Sequence, residues 1–430
     1  MLAYRGAAPL RAGTFLAEVH ALAACLPAGG HVINACADRY RFAVGLGAAM
    51  LGGKLSLLPP NHTPEVIRHL KSLFPDVFCL TDAPRPIDIP QFHYPALSPR
   101  PCPWQPPLIE ATRAIAVVFT SGSTGIPVAH TKTWGRLLQG VRAGALRLAL
   151  EPGTALLATV PAQHMYGLES SVLLPLATGA ALCAEQPFYP ADICHALASL
   201  PRPRVLLTTP LHLRALMACP DPLPQVDRIV SATAPLGPAL ALEAEERLRA
   251  PLSEIYGSTE TGQLATRAST RTEAWELLPG VTLTIEAGRA WARGGHLEQP
   301  TALADRIALL DAAHMVLQGR LADLVNIAGK RSSLAYLTHQ LLDIPGVCDG
   351  AFFLPATGAR TEQLPTRVAA AAVAPRLSAA DIRTALRGRI DPVFLPRPLL
   401  LLDRLPRNST GKLPLAALHA LLANAGGAAR

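Results

Sequence analysis

One stretch constrains this chain more than any other: Phe119-Thr120-Ser121-Gly122-Ser123-Thr124-Gly125-Ile126-Pro127. It follows directly on residues 114–119, an uninterrupted apolar run whose length predicts a strand buried on both faces. Two glycines let the backbone turn tightly and come close to a ligand. Four hydroxyls and the backbone N–H groups supply donors without competing negative charge, which suits a polyphosphate. Similar apolar runs occur at 32–35, 55–58, 204–208 and 228–230. Residues 39–52 read as a helix between the first two. Thr63, Pro64 and Glu65 read as an N-cap, a first-turn proline and an early acid. Strands alternating with helices predict an α/β fold on a parallel sheet.

Composition narrows the function classes. Half of the 430 residues are hydrophobic, too many for a disordered chain. The net charge of +8 comes without any run of Lys or Arg. No nucleic-acid partner is therefore expected, and the charge suits nucleotides, coenzymes or an acidic carrier protein. The best membrane candidate, residues 43–53, falls well short of the about 20 apolar residues a span requires. No signal peptide is expected either. None of the eight cysteines forms a C-x-x-C pair, so neither a disulfide scaffold nor structural zinc is expected, and a reducing, cytoplasmic setting fits. The proline-rich stretch 84–107 reads as a surface loop. Beyond Leu321 the texture changes to about 100 residues of short strands and helices, so a domain boundary is expected there.

Further motifs follow in order: Pro161-Ala162-Gln163-His164-Met165-Tyr166-Gly167; the small-residue turn Ser231-Ala232-Thr233-Ala234-Pro235-Leu236; Ile255-Tyr256-Gly257-Ser258-Thr259-Glu260-Thr261-Gly262; Asp305 with Gly319-Arg320; and Leu405-Pro406-Arg407-Asn408-Ser409-Thr410-Gly411-Lys412. Together with the 119–127 stretch they resemble the AMP-forming adenylating enzymes, which are the acyl-CoA synthetases, peptide-synthetase adenylation domains and luciferases.

That resemblance implies roles residue by residue. Thr120, Ser121, Gly122, Ser123, Thr124 and Gly125 would form the phosphate loop for ATP. Ala232 and Ala234 would pack on adenine beside Tyr256 and Gly257. Thr259 would bond the α-phosphate, and Glu260 would hold Mg2+, a cation that takes one or two carboxylates plus phosphate oxygens. Asp305 would accept from both ribose hydroxyls, with Arg320 nearby. His164, Tyr166, Gly167, Ala232, Gly257 and Ser258 would line the acid pocket. Lys412 would bridge the acid's carboxylate and the α-phosphate, offsetting charge as pyrophosphate leaves. A large domain, residues 1–320, would carry ATP and acid. A small mobile α+β lid, residues 321–430, would rotate about a hinge at Ala322 and Asp323. The acceptor would be a phosphopantetheine thiol on an acyl carrier protein or coenzyme A, and the protein a monomer or homodimer.

The chain also departs from the pattern. Val128 stands where relatives commonly carry lysine, leaving Lys132 or the loop hydroxyls to compensate. Leu303-Ala304 replaces the usual Thr-Gly before Asp305, Ala322 replaces the usual hinge acid or lysine, and the large domain is short. Residues 120–135, with His130 and Trp134, resemble the compact AMP ligases of aryl-polyene and xanthomonadin-type pigment clusters, which activate small aromatic hydroxy acids. The rival readings are a ligase for a short or medium aliphatic acid, a binding protein that has lost turnover, and an adenylating enzyme with a non-thiol acceptor.

Overall fold

The computed structural model describes residues 1–59, 61–97, 106–121, 127–320, 324–327, 330–355, 367–408, 411 and 413–427. The fold is α/β. A six-stranded sheet runs in the order Gln91–His93, Phe78–Thr81, His31–Asn34, Leu55–Leu58, Ala114–Ser121, Pro127–Thr133. All neighbours are parallel except the last pair, which is antiparallel. Its central strands are buried along almost their whole length, as the apolar runs require.

The helix Arg39–Leu51 is apolar on all sides and lies between two sheets. Tyr40, Phe42, Val44 and Leu46 share one core with Val32 and Leu58 of the first sheet and Leu156 and Leu182 of the second. The Asp38 carboxylate caps it, accepting the Arg41 N–H at 2.8 Å. Arg39 bolts the sheets together. Its guanidinium, 1% exposed, donates to the carbonyls of Ala158, Val160, Cys183 and Glu185 and to Ser171 Oγ.

The second sheet has eleven strands, in the order Asp305–Leu309, His314–Arg320, Trp275–Leu277, Gly262–Arg267, Leu252–Ser258, Arg228–Ser231, Arg204–Thr208, Ala155–Ala158, Ala181–Cys183, Ala3–Arg5, Ala8–Leu10. The strands from Leu252–Ser258 through Ala3–Arg5 are parallel, and antiparallel strands extend both edges. From Leu324 onward the chain builds separate small sheets over its own apolar core, which includes Leu337, Leu341, Phe352 and Phe394. There Phe352 and Phe353 lie opposite Ala370 and Ala369, large against small.

Two local expectations are corrected. The proline-rich stretch is not all loop, because Gln91–His93 pairs in parallel with Cys79–Thr81 at the sheet edge. The Thr63 hydroxyl does not cap its helix but donates to Asn61 Oδ1 at 2.9 Å. Pro64 has no N–H to satisfy, which lowers the need for a cap. Among the described residues no helix is long and apolar enough to cross a membrane.

Candidate active site

In open α/β sheets, ligands sit beyond the carboxyl ends of the strands, where the strand order reverses. From Ala155–Ala158 the chain passes to Ala181–Cys183 on one side and then to Arg204–Thr208 on the other, so the reversal lies here. Every motif of the large sheet emerges at these ends: His164 after 155–158, Ala232 after 228–231, and Tyr256 to Glu260 at the end of 252–258. The phosphate-loop stretch leaves the carboxyl end of Ala114–Ser121 in the other sheet. Gln163 ties the two sheets here, donating to the Cys36 carbonyl at 2.9 Å.

The nucleotide-side residues converge. Tyr256 donates its hydroxyl to Asp305 Oδ2 at 2.8 Å across 49 positions of sequence. Asp305 and Arg320 are register partners on antiparallel strands, so the two residues that the resemblance assigns to the ribose are cross-strand neighbours. Trp275, buried behind Tyr256, meets its ring at 5.7 Å between centroids. Arg267 covers Trp275 and pairs with Glu254 at 2.7 Å. Gly257 admits no side chain, since a Cβ there would come within 2.2 Å of the Gly262 carbonyl. In the turn that follows, Ser258 and Thr261 bond each other through their hydroxyls and backbone N–H groups. Thr259 and Glu260 are left partly exposed at the tip.

On the acid side, Tyr166 donates to the Val230 carbonyl at 3.1 Å, which places its ring beside the Ser231–Ala234 turn. Burial raises its pKa and keeps the phenol neutral. The ring thus offers a flat surface, its polar end being occupied. His164 starts the short helical turn Met165–Gly167 and is partly exposed. A Cβ on Gly167 would meet the Pro161 carbonyl at 1.9 Å, so only glycine closes this turn. Thr233 holds φ +81, a strained value for a β-branched residue that costs about 1–3 kcal/mol. Such strain persists where a turn must present its backbone.

Gly122, Ser123, Thr124, Gly125, Ala322, Asp323 and Lys412 lie outside the described residues, as do the side chains of Thr120, Ser121 and Arg320. Gly411 is described. Its Cα position would put a Cβ 3.2 Å from Leu211 and 3.8 Å from Thr209 Oγ1, at the carboxyl end of Arg204–Thr208. The C-terminal loop therefore meets the same end of the sheet. Arg407 shapes that loop, gripping Asp349 with two bonds of 2.7 and 2.6 Å and donating to the Gly411 carbonyl at 2.8 Å.

The motif reading missed the supports Arg39, Glu169 and His296 beneath these loops, and the anchoring role of Arg407. It did single out Lys132, as a substitute for the lysine missing at Val128. Lys132 does not lie on the surface, however. It is 6% exposed, and its ammonium donates to the backbone carbonyl of Glu260 at 2.5 Å.

No group of three or more His, Cys, Asp or Glu among the described residues could hold a metal alone. A single partly exposed carboxylate, Glu260, fits a Mg2+ that keeps water and phosphate ligands, and does not fit a resident metal caged by protein.

Residues 15–315 match the AMP-binding enzyme family, and the chain belongs to it. It is 31% identical over 236 residues to a 4-coumarate–CoA ligase of Rhodobacter capsulatus, covering 54% of this chain and 59% of that protein. It is 27% identical over 342 residues to the p-hydroxybenzoic acid–AMP ligase FadD22 of Mycobacterium tuberculosis, covering 70% of this chain and 48% of that protein. These matches thus span about half to three-fifths of the relatives' own lengths. Among solved structures, o-succinylbenzoate CoA synthetase from Bacillus subtilis, in complex with its acyl-adenylate intermediate, has a TM-score of 0.77 at 18% identity, covering 93% of this chain and 91% of that one. The amide bond synthetase McbA from Marinactinospora thermotolerans has a TM-score of 0.76 at 18% identity, covering 96% and 95%. At such identity the likeness speaks for the fold.

Proposed function

We propose that the chain is an ATP-dependent acid–thiol ligase that activates a small aromatic hydroxy acid, such as a hydroxybenzoate, as its acyl-adenylate. It then passes the acyl group to a phosphopantetheine thiol, on an acyl carrier protein in preference to coenzyme A. One observation carries the reading above all: the Tyr256–Asp305 bond at the carboxyl ends of the parallel strands, beside the exposed tip bearing Thr259 and Glu260. Support for an aromatic acid comes from the flat Tyr166 ring with its hydroxyl already bonded, and from two relatives named for coumarate and hydroxybenzoate. Support for an acidic acceptor comes from charge. Residues 321–430 carry thirteen Lys and Arg against seven Asp and Glu, most of the chain's net +8.

In this mechanism Asp305 accepts from the ribose hydroxyls, Tyr256 and the Ala232–Ala234 turn hold adenine, and Thr259 bonds the α-phosphate. The loop 120–125 cradles the phosphates, with Arg320 beside the ribose. Glu260 would hold Mg2+, which would offset the triphosphate's charge. The acid lies between His164, Tyr166, Gly167, Ala232, Gly257 and Ser258. Its carboxylate attacks the α-phosphorus in line, and the bond to pyrophosphate breaks. Lys412 offsets the charge shared by carboxylate and α-phosphate. Positioning and electrostatics supply most of the rate. The small domain, residues 321–430, then turns about Ala322 and Asp323 and withdraws Lys412. The thiol sulfur bonds to the acyl carbon, its proton is released, and AMP leaves.

The test is acid-dependent pyrophosphate release from Mg·ATP across hydroxybenzoates, cinnamates, amino acids and fatty acids. A single strong aromatic response supports the reading, and a mass shift on carrier protein against coenzyme A decides the acceptor. A fatty-acid response would replace the aromatic assignment. Tight ATP binding with no pyrophosphate release would point to a lapsed enzyme.

A further inference from the structure

Val128, 49% exposed, lies opposite Thr120 near the start of the strand Pro127–Thr133. Side chains alternate along a strand, so Val128, His130 and Lys132 share one face of Pro127–Thr133. Lys132 lies four residues from Val128 and is buried. Its Nζ donates to the main-chain carbonyl of Glu260, and the charges of Glu169, Glu298 and Glu260 act on it through space. Burial pulls the ammonium's pKa down and these carboxylates oppose that pull.

The floor around it is polar and tightly built. Glu169, 2% exposed, sits on the π-helical turn Leu168–Leu173, a wide turn that recurs at functional sites. Its carboxylate accepts the Gln263 backbone N–H. His296 Nε2 donates to the Thr261 carbonyl at 3.1 Å. Two glycines of the helix Trp134–Leu148 make room: a Cβ on Gly140 would strike His296 at 2.9 Å, and one on Gly144 would strike Gln263 at 2.4 Å. Two consecutive carbonyls of the turn, Glu260 and Thr261, are thus held from below by side chains of other elements. A buried ammonium is a poor way to gain stability alone, since apolar residues do as well. Its contact with the backbone of Glu260 suggests another purpose.

We propose that Lys132 is a positioning residue for Mg·ATP: from beneath, it fixes the main chain of Glu260. The role rests on the ligase reading above. Glu169 and His296 keep the ammonium and the neighbouring carbonyl in place.

The test uses the full chain with Lys132→Met and Lys132→Arg. Calorimetry measures the affinity for a non-hydrolysable ATP analogue with and without Mg2+, beside circular dichroism for folding. Lys132→Met should leave the Mg2+-free affinity within about twofold and lose at least tenfold of the Mg2+-dependent tightening. Lys132→Arg keeps the charge but cannot place its donors alike, and should lose about threefold. A folded Lys132→Met with the wild-type Mg2+ response overturns the role; if that variant fails to fold, a wild-type response in Lys132→Arg overturns it. Wild-type protein with no Mg2+-dependent tightening sinks the ligase reading and this role with it. An intact response in the variants sinks the role alone.

Discussion

The two ends of the chain bury different chemistry. Among the described residues, every buried polar or charged side chain lies between Asn34 and His296, including Arg39, Lys132, Glu169, His212 and Glu254. From Leu324 onward, among the described residues, the buried side chains are Ala, Val, Leu, Ile, Phe and Pro. Burying a polar group costs free energy unless it is fully bonded. The first region accepts that cost where loops from several strands must be held in register. The second needs only to cohere as a body that carries one loop. The comparison teaches that holding several loops in register and packing one compact body require different interiors.

The largest effect should come from the lysine of the terminal motif. Lys412→Ala should slow adenylation by about a hundred- to thousandfold, the usual loss for one transition-state donor. Thiol attack on supplied acyl-adenylate should stay nearly unchanged. Equal losses in both half-reactions, followed by quenched-flow, would break the assignment. Phe394→Ala, in the apolar core, should cost about 4 kcal/mol but only locally. Limited proteolysis should then cut within 324–427 while 15–315 stays resistant; simultaneous loss would deny the second region its independence.

Arg39→Met sharpens the other side of the comparison. It strands the carbonyls of Ala158, Val160 and Glu185, at about 3 kcal/mol. The melting temperature should fall by roughly 4–5 °C. A drop of a degree or two would mean the sheets hold together without it. The smallest effect is pH-linked. His212 is buried, with Nδ1 bonded among Thr159 and Thr209, and burial pushes its pKa down to about 4. Unfolded, it titrates near 6.5. Between those values the unfolded chain binds a proton that the folded one refuses, so stability falls as pH drops below 6.5. The loss from pH 7 to pH 5 is about 2 kcal/mol. His212→Gln should flatten that slope in urea titrations at the two pH values.

Much of the fold could be read because local pattern and tertiary role coincide. Residues 55–58 and 204–208 are apolar because they are strands covered on both faces. Glycines 167 and 257 stand in their motifs because nothing larger fits. The edge strands at 3–5, 8–10 and 91–93 escaped notice because they are short, and half-buried edges carry little periodicity. Arg39 and Glu169, and the burial of Lys132, escaped because a charged residue in sequence reads as a solvated one. Only partners more than 30 positions away make their burial tolerable. Thr233 hid for another reason: no pattern of side chains announces a positive φ.

The edge of the eleven-stranded sheet also sets an order of assembly. Ala3–Arg5 pairs in parallel with Ala181–Cys183, so it waits for about 180 further residues. At about 5–20 residues per second of synthesis, that is roughly ten to forty seconds. For that interval the strand has no sheet to join, and Leu2 and Ala3 have no finished core. Long-range parallel pairing of this kind slows folding. A growing chain of this protein is thus a natural client for a chaperone at the ribosome exit.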